Sequence, residues 1–206
     1  MLTEDQRDCL QETVNVAMGK AGDVLARLLD VFVTLSVPRI IAIERDEFGR
    51  AHNKFFDATT PVSVVRQGFY SSRHSQGLRG ECILVFNETS YRELAELMSY
   101  DHNDLDESAE TELLVDVTNV LCGACLGGFA EQVGDTLSYS RPSLAGRQVP
   151  VESIFASIAT SNDRILLISI SFKIENRTFD CTMLLMMPAI AVTQLVEVLD
   201  RLLEAV

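Results

Sequence analysis

A polar pattern that occurs twice in this chain constrains its fold more than any other feature. Residues 8–19 read DCLQETVNVAMG and residues 112–123 read ELLVDVTNVLCG. Both segments contain an acid, three residues, an acid, two residues, Asn, three residues and Gly. A proline follows each Asn after 22 residues, so Pro38 and Pro142 are 104 residues apart, as the two Asn residues are. This spacing predicts two half-repeats of similar fold.

The length of the chain and its apolar content set how the halves are arranged. The chain has 206 residues, of which 47% are hydrophobic, so a sizeable core is available. Each half contains about three strand-like segments, which bury little on their own and are therefore expected to share one sheet. We predict a single domain over residues 1–206, with half-repeats at 1–103 and 104–206.

Helix and strand signals occur in the same order in both halves. Thr3 with Gln6 forms a capping-box pattern for a helix that extends to about Leu29, and a second long helix is predicted from near Ser108 to about Val133. Strand-like segments follow each helix, and Pro188 is expected in the first turn of a final helix. The polar segment 45–60 is predicted to be a loop, and the pairs EC (81–82) and DC (180–181) are expected at similar strand positions.

The repeated polar residues fall on one ridge of each long helix. At roughly 100° per residue they project on the side opposite the apolar stripe. The first ridge is Asp8, Glu12, Asn15 and Gly19, and the second is Glu112, Asp116, Asn119 and Gly123. Asn and Gly are poor residues for a helix interior, and Gly costs about 1 kcal/mol relative to Ala. Their repetition predicts that a partner approaches this ridge closely.

The chemistry of such a ridge is limited. A carboxylate and a carboxamide three residues apart supply one anion and one neutral group that both donates and accepts hydrogen bonds. No nucleophile, positioned His or metal cage accompanies them, so we expect no metal or cofactor to be bound by this chain. This pair suits an enzyme that completes the active site of another protein.

Charge and composition restrict location and partners. The formal net charge of −13 argues against binding to nucleic acid or to an anionic membrane surface. The acidic start MLTEDQRD is unlike a signal peptide, and the most apolar stretches are interrupted before they reach the length of a membrane span. An odd number of cysteines, five, indicates reduced thiols. The prediction is therefore a cytoplasmic protein.

Two other patterns are set aside. The segment CGAC at 122–125 resembles a redox-active pair, but it falls within a helix instead of opening one, which favours buried structural thiols. His52, His74 and His102 fall in predicted loops, and no Ser or Cys nucleophile can be assigned to them.

The doubled pattern, acid-x3-Glu-x2-Asn-x22-Pro, resembles the CheC-type phosphatases of bacterial chemotaxis, a family that includes CheC, CheX and FliY. The resemblance covers the whole chain in order and spacing. It implies an α+β fold of two pseudo-symmetric half-repeats that share an antiparallel β-sheet, with the two long motif-bearing helices side by side on an outer face. It also implies hydrolysis of the phospho-aspartate on a CheY-like receiver domain of a response regulator.

The same resemblance implies roles for individual residues. Asn15 would hold the attacking water, Glu12 would pair with the active-site Lys of the receiver, and the receiver would supply Mg²⁺. Asn119 would be the water-holding residue of a second site. There the chain departs from the family pattern, because Asp116 replaces Glu and its shorter side chain reaches less far. The second site is therefore expected to be weaker than the first or to serve only in docking.

Two alternatives to an enzyme stay open. The chain could be a non-catalytic module that binds a receiver or a flagellar component, or an adaptor regulated by the deamidase CheD. FliY-like switch proteins carry an extra C-terminal domain, whereas this chain ends at Val206, so a rotor component is ranked lower.

Overall fold

A computed structural model describes residues 2–44, 47, 50–56, 61–72, 77–100, 106–158 and 164–204. In chain order, the elements are α1 (Glu4–Leu29), β1 (Val33–Leu35), β2 (Arg39–Glu44), a short 3₁₀ helix (Ala51–Lys54), β3 (Pro61–Ser71), β4 (Arg79–Asn87), α2 (Ser90–Leu97), α3 (Glu107–Val133), β5 (Leu137–Tyr139), β6 (Ser143–Pro150), α4 (Val151–Ile158), β7 (Arg164–Ile174), β8 (Asp180–Pro188) and α5 (Ala189–Glu204).

The two long helices have well-defined ends. The capping box predicted at the start of α1 is present: the Gln6 amide donates to Thr3 Oγ1 (3.2 Å) and the Thr3 amide donates to Gln6 Oε1 (2.9 Å). Asp106 caps α3 by accepting hydrogen bonds from two amides of the first turn. Gly134 ends this helix at φ 66°, a left-handed conformation that glycine adopts without steric cost.

The strands form one eight-stranded antiparallel sheet in the described part of the chain. The order is β1-β7-β8-β4-β3-β5, with β2 also paired to β7 and β6 also paired to β3. The strands β4 and β8 meet at the centre, where Ile83 is opposite Leu184. The hairpin of each half, β3–β4 or β7–β8, therefore lies in the middle of the sheet. The short strands of the first half, β1 and β2, pair with β7 of the second half, and β5 and β6 of the second half pair with β3 of the first. The predicted fold class is confirmed.

Hydrogen bonds between the halves repeat in detail. The Ser36 amide donates to the Ser171 carbonyl (3.0 Å), and the Ser171 amide donates to Ser36 Oγ (2.9 Å). In the other half, the Ser140 amide donates to the Gly68 carbonyl (2.9 Å), and the Gly68 amide donates to Ser140 Oγ (2.9 Å). Because Ser36 and Ser140 are 104 residues apart, the same two-bond connection holds the segment before each motif proline to the sheet.

Both faces of the sheet are covered. The long helices and α5 cover one face and enclose the larger core, which includes Leu10, Leu25, Leu121 and Phe172. A smaller cluster lies on the other face, where Val151, Ile154 and Phe155 of α4 pack against sheet residues. The motif helices and α4 are therefore on opposite sides of the sheet.

The structure corrects several details of the sequence analysis. Strand β6 and helix α4 were not predicted. Pro188 is the last residue of β8, opposite Ile165, and the final helix begins one residue later. The pairing of Cys82 with Cys181 as equivalents is wrong by two residues, as the strand register below shows. The predicted half-repeat boundary at 103/104 and parts of the predicted loop 45–60 lie outside the described residues.

Helix α3 also differs from the expectation that no segment reaches the length of a membrane span. By length and apolar composition alone, α3 could cross a membrane. However, 61% of its most apolar stretch is buried inside the fold. Leu113, Leu114, Val117 and Leu121 are fully buried in the larger core. Packing against α1 and the sheet accounts for this apolar character, so α3 is a core helix.

Candidate functional site

The first ridge is on the solvent-exposed side of α1. Asp8, Glu12, Asn15 and Gly19 are all exposed. The opposite side of the helix is buried because apolar residues recur there at helical spacing, at Leu10, Val14, Ala17, Met18, Ala21 and Leu25. The helix therefore presents its carboxylates and carboxamide as one line.

The second ridge has nearly the same placement on α3. Glu112, Asp116 and Asn119 are exposed, and Gly123 is half-buried. Helices α1 and α3 pack side by side: a Cβ added at Gly128 would come within 3.1 Å of Ala17 Cα, and Lys20 forms an ion pair with Glu131.

A shallow hollow of about 320 Å³ marks the first site, and this volume is large enough for a side chain or a phosphoryl group of a partner. Its lining consists of Asp8, Gln11, Glu12, Asn15 and Val37. Val37 comes from the segment between β1 and β2, and its side chain is 65% exposed.

Pro38 contributes to this hollow indirectly. It is buried, whereas the preceding residue, Val37, is exposed. The Ser36–Ser171 connection on one side and the buried proline on the other fix the backbone at this point. In the second half, Pro142 is half-buried and Arg141 occupies the position equivalent to Val37. The residue that precedes the motif proline is therefore apolar in the first half and cationic in the second.

Space at the ridge glycines agrees with close approach by a partner. A Cβ atom added at Gly19 or at Gly123 would meet no atom within 4 Å. Neither glycine is therefore required for packing within this chain. Both lie in a helix interior, where the absence of a side chain is unfavourable by about 1 kcal/mol.

The second site includes a buried residue that the sequence analysis did not identify. Gln67 Nε2 on β3 donates to Asn119 Oδ1 (3.3 Å) and to the carbonyl oxygen of Ser140 (3.0 Å). Gln67 is 3% exposed. Its signal in the sequence was a polar residue on the helix-facing side of an otherwise apolar strand, between Val65 and Phe69. Val37 was also missed, although it directly precedes the motif proline.

The thiols play no visible part in either site. Cys82, Cys125 and Cys181 are buried, and burial raises the pKa of each thiol well above its ordinary value. Cys122 is buried as well, and no cysteine is in a disulfide, as expected for structural thiols. His74 and His102 lie outside the described residues. Within the described ranges, no three His, Cys, Asp or Glu side chains are grouped to hold a metal ion.

Comparison with known proteins places this fold. No family model matches the sequence. Among solved structures, FliY from Thermotoga maritima superposes with a TM-score of 0.70 at 19% identity, covering 98% of both chains. The chemotaxis protein CheX from Desulfovibrio desulfuricans has a TM-score of 0.52 at 16% identity and covers 84% of this chain and 99% of its own. The chain has the CheC/CheX/FliY fold.

The middle domain of FliM shares the CheC/CheX/FliY fold too. A chain of the FliG–FliM complex from H. pylori superposes with a TM-score of 0.63 at 11% identity, covering 95% of this chain and all of its own. The fold is thus common to chemotaxis proteins and to FliM, which was solved in complex with FliG. The resemblance seen in the doubled motif is confirmed at the level of the fold.

Proposed function

We propose that this chain is a phosphatase that hydrolyses the phospho-aspartate of a CheY-like receiver domain. The observation that carries the proposal is the first site: Glu12 and Asn15 are exposed, lie one helical turn apart and line the same hollow with Val37. A carboxylate and a carboxamide on the exposed side of a helix are accessible to the active site of another protein.

The chemistry assigned to Asn15 is to hold a water molecule in line with the acyl phosphate. The water oxygen attacks phosphorus, the bond between phosphorus and the aspartate oxygen breaks, and the bonding electrons leave with the aspartate carboxylate. The proton lost by the water goes to the released phosphate or to solvent. Phosphoryl transfer depends mainly on positioning and charge stabilisation, so one orienting carboxamide is a sufficient contribution from this chain.

Glu12 is assigned to docking. Its carboxylate is one turn from Asn15 and would pair with the active-site Lys of the receiver, which fixes the distance between Asn15 and the phosphoryl group. Mg²⁺ is assigned to the receiver, because the ridge offers a single carboxylate next to each Asn and hard cations need several oxygen ligands. We propose a cytoplasmic location, where receivers are found, and keep CheD as a further candidate partner.

A second function is favoured by a specific observation. FliM has this fold, and a solved structure shows FliM in complex with FliG. A receiver-binding or flagellar module without hydrolysis would use the same exposed ridge. Asp116 supports this alternative for the second site, because its carboxylate is one methylene shorter than that of Glu12.

Phosphate release decides between the two functions. Candidate receivers are phosphorylated with a small phosphodonor, freed of excess donor, and followed by loss of phospho-receiver with and without this protein. If the chain is a phosphatase, phospho-receiver should be lost faster with the wild-type protein than without it, and more slowly with Glu12→Gln than with wild type. Glu152→Gln, which makes the same charge change at an exposed residue of helix α4 on the other face of the sheet, should behave as wild type. Binding of phospho-receiver without any acceleration would favour the binding module.

A further inference from the structure

Gln67 is an unusual residue for its position. It lies on the sheet face that carries the larger core and is 3% exposed, yet its Oε1 atom has no hydrogen-bond partner. A buried amide oxygen without a partner is destabilising, since folding removes the water that it would otherwise bind. The Nε2 atom of the same carboxamide donates a hydrogen bond to Asn119 in the candidate site.

The hydrogen bonds of Gln67 fix the orientation of the Asn119 carboxamide. The Ser140 carbonyl can only accept, so the nitrogen of Gln67 must face it, at 3.0 Å. The same nitrogen lies 3.3 Å from the Asn119 side chain, which must then turn its Oδ1 atom inward to accept. It follows that the Nδ2 hydrogens of Asn119 point outward. This assignment follows from donor and acceptor chemistry, not from the shape of the amide alone.

The equivalent strand position on β7, in the second half, carries a different residue. Phe69 pairs with Tyr139 and Phe172 pairs with Leu35. Leu35 and Tyr139 are 104 residues apart, as the motif residues are, so the two phenylalanines are equivalent. Two residues before Phe172 is Ile170, which is fully buried and offers no hydrogen bond.

The register of the hairpins carries this equivalence further. Phe69 is opposite Gly80 and Phe172 is opposite Cys181, so Cys82 corresponds to Met183. The two halves therefore correspond strand by strand, and the change in residue offset from 104 (Leu35 to Tyr139) to 101 (Cys82 to Met183) falls in the segments that connect the strands. In the part of the chain that the structure describes, Asn15 has no side-chain hydrogen bond, and its amide can present either end.

The two ends of a carboxamide act differently on an attacking water. An acceptor oxygen takes a hydrogen bond from the water and leaves its lone pair directed at phosphorus. A donor N–H occupies a lone pair of the water and withdraws electron density from it, whereas the same N–H suits an anionic phosphoryl oxygen. Asn119 with its nitrogen outward is thus better placed to bind a phosphoryl group than to orient a nucleophile.

We infer that Gln67 is a positioning residue that holds Asn119 with its N–H groups outward, so that the second site binds a phosphoryl oxygen but orients water poorly. The consequence for turnover rests on the proposed phosphatase function, whereas the orientation of Asn119 does not. Loss of the hydrogen bond from Gln67 frees Asn119 to present its oxygen, as Asn15 can.

Kinetics test the consequence. Second-site turnover is measured with Asn15→Ala as the reference, and the comparison is Asn15→Ala combined with Gln67→Leu. Removing one well-placed polar group commonly changes kcat by about 10²–10³-fold, and we expect restored water orientation to raise kcat about tenfold with KM unchanged or higher. A kcat equal to or below that of Asn15→Ala would overturn the inference. Gln67→Met, which keeps the chain length but has no N–H donor, should reproduce the rise and checks against a folding defect of Gln67→Leu.

Side-chain NMR tests the orientation without any receiver. The carboxamide signals are assigned by their loss in Asn15→Ala and Asn119→Ala, and the mobility of each ¹⁵N–H₂ group is measured by relaxation. We expect the Asn119 group to be more rigid than the Asn15 group in wild type and equally mobile in Gln67→Leu. Equal mobility of both groups in wild type would overturn the inference. A wild type without phosphatase activity would instead remove the proposed function, and the relaxation data would still decide the role of Gln67.

Discussion

Substitution of Gly19 tests whether the glycine is needed for folding or for contact with a partner. A Cβ added there meets nothing within 4 Å, so Gly19→Ala should fold and gain up to about 1 kcal/mol in the free energy of unfolding. If a receiver packs closely on the ridge, the added methyl group should raise KM in the phosphatase assay while kcat changes less. Denaturant unfolding and steady-state kinetics on the same preparation measure both effects. A less stable variant would mean that the fold itself requires this glycine, and an unchanged KM would mean that it serves no close contact with a receiver.

The five thiols should differ in reactivity according to burial. Cys9 is half-buried on α1, whereas Cys82, Cys122, Cys125 and Cys181 are buried. Burial also raises the pKa of Cys82, Cys125 and Cys181, so their reactive thiolate forms are scarce at pH 8. We expect about one thiol to react with a colorimetric reagent at pH 8 in the native protein and all five after unfolding. Rapid reaction of both cysteines of the CGAC segment in the native protein would restore the redox interpretation.

The short helix α2 contacts the β7–β8 hairpin through two carboxylates: Glu96 pairs with Arg177 (2.8 Å), and Glu93 makes several hydrogen bonds. Glu93 Oε1 accepts from the Thr178 hydroxyl (2.7 Å) and the Thr178 amide (3.1 Å), and Arg177 is close to its other oxygen. Burial acts to raise the pKa of Glu93, but these hydrogen bonds and the Arg177 charge outweigh it, so the pKa is lowered. A group whose folded pKa lies below its unfolded value stabilises the fold above the unfolded pKa and loses that effect as pH falls through the folded pKa.

Glu93→Gln tests this connection between elements. The variant should be less stable than wild type by about 1 kcal/mol at pH 7, because the hydrogen bonds to a charged acceptor are weakened. The difference in the free energy of unfolding should shrink as pH falls below about 4.5, the ordinary glutamate value, since the wild-type carboxylate is then protonated. Urea unfolding of wild type and Glu93→Gln between pH 3 and pH 7 measures this difference in the free energy of unfolding. A constant difference across that range would assign the effect to packing.

The elements that sequence reasoning identified are those with strong local signals. The capping box at Thr3, the apolar stripe of α1 and the hairpin strands follow from spacing alone, and so does the exposure of the ridge. Strand β6 lacked such a signal: SLAGRQVP has no clear alternation, and its pairing with β3 includes register shifts between Val62 and Val65. Helix α4 had one that the sequence analysis did not use, because Val151, Ile154 and Phe155 recur at helical spacing. Tertiary pairing, not local propensity, makes β6 a strand.

The contacts within the second site could not be predicted from the sequence for a similar reason. Gln67 is 52 residues from Asn119, and only the pairing of β5 and β6 with β3 brings α3 above it. The repeat predicted two like sites. It could not predict that equivalent strand positions carry a polar residue, Gln67, in one half and an apolar residue, Ile170, in the other. The two positions are recognised as equivalent only once the strand register is known.

For the molecule as a whole, the pseudo-twofold arrangement provides two sites of unequal chemistry. The first has Glu12, Asn15 and an apolar border at Val37, and the second has Asp116, Asn119 and Arg141. If reach limits the second site, Asp116→Glu in an Asn15→Ala background should increase turnover, by less than about fivefold, because an exposed ion pair contributes at most about 1 kcal/mol. Single-turnover loss of phospho-receiver measures the change. No increase would show that acid length does not limit this site.

Asn15 and Asn119 together test the central claim most directly. Single-turnover loss of phospho-receiver is followed for wild type, Asn15→Ala, Asn119→Ala and the double variant, with circular dichroism to verify that each is folded. We predict that Asn15→Ala loses most of the acceleration, by about 10²-fold, that Asn119→Ala loses little, and that the double variant leaves only the receiver's own rate. A double variant that accelerates hydrolysis as much as wild type would contradict the account, because the ridge would then not be catalytic.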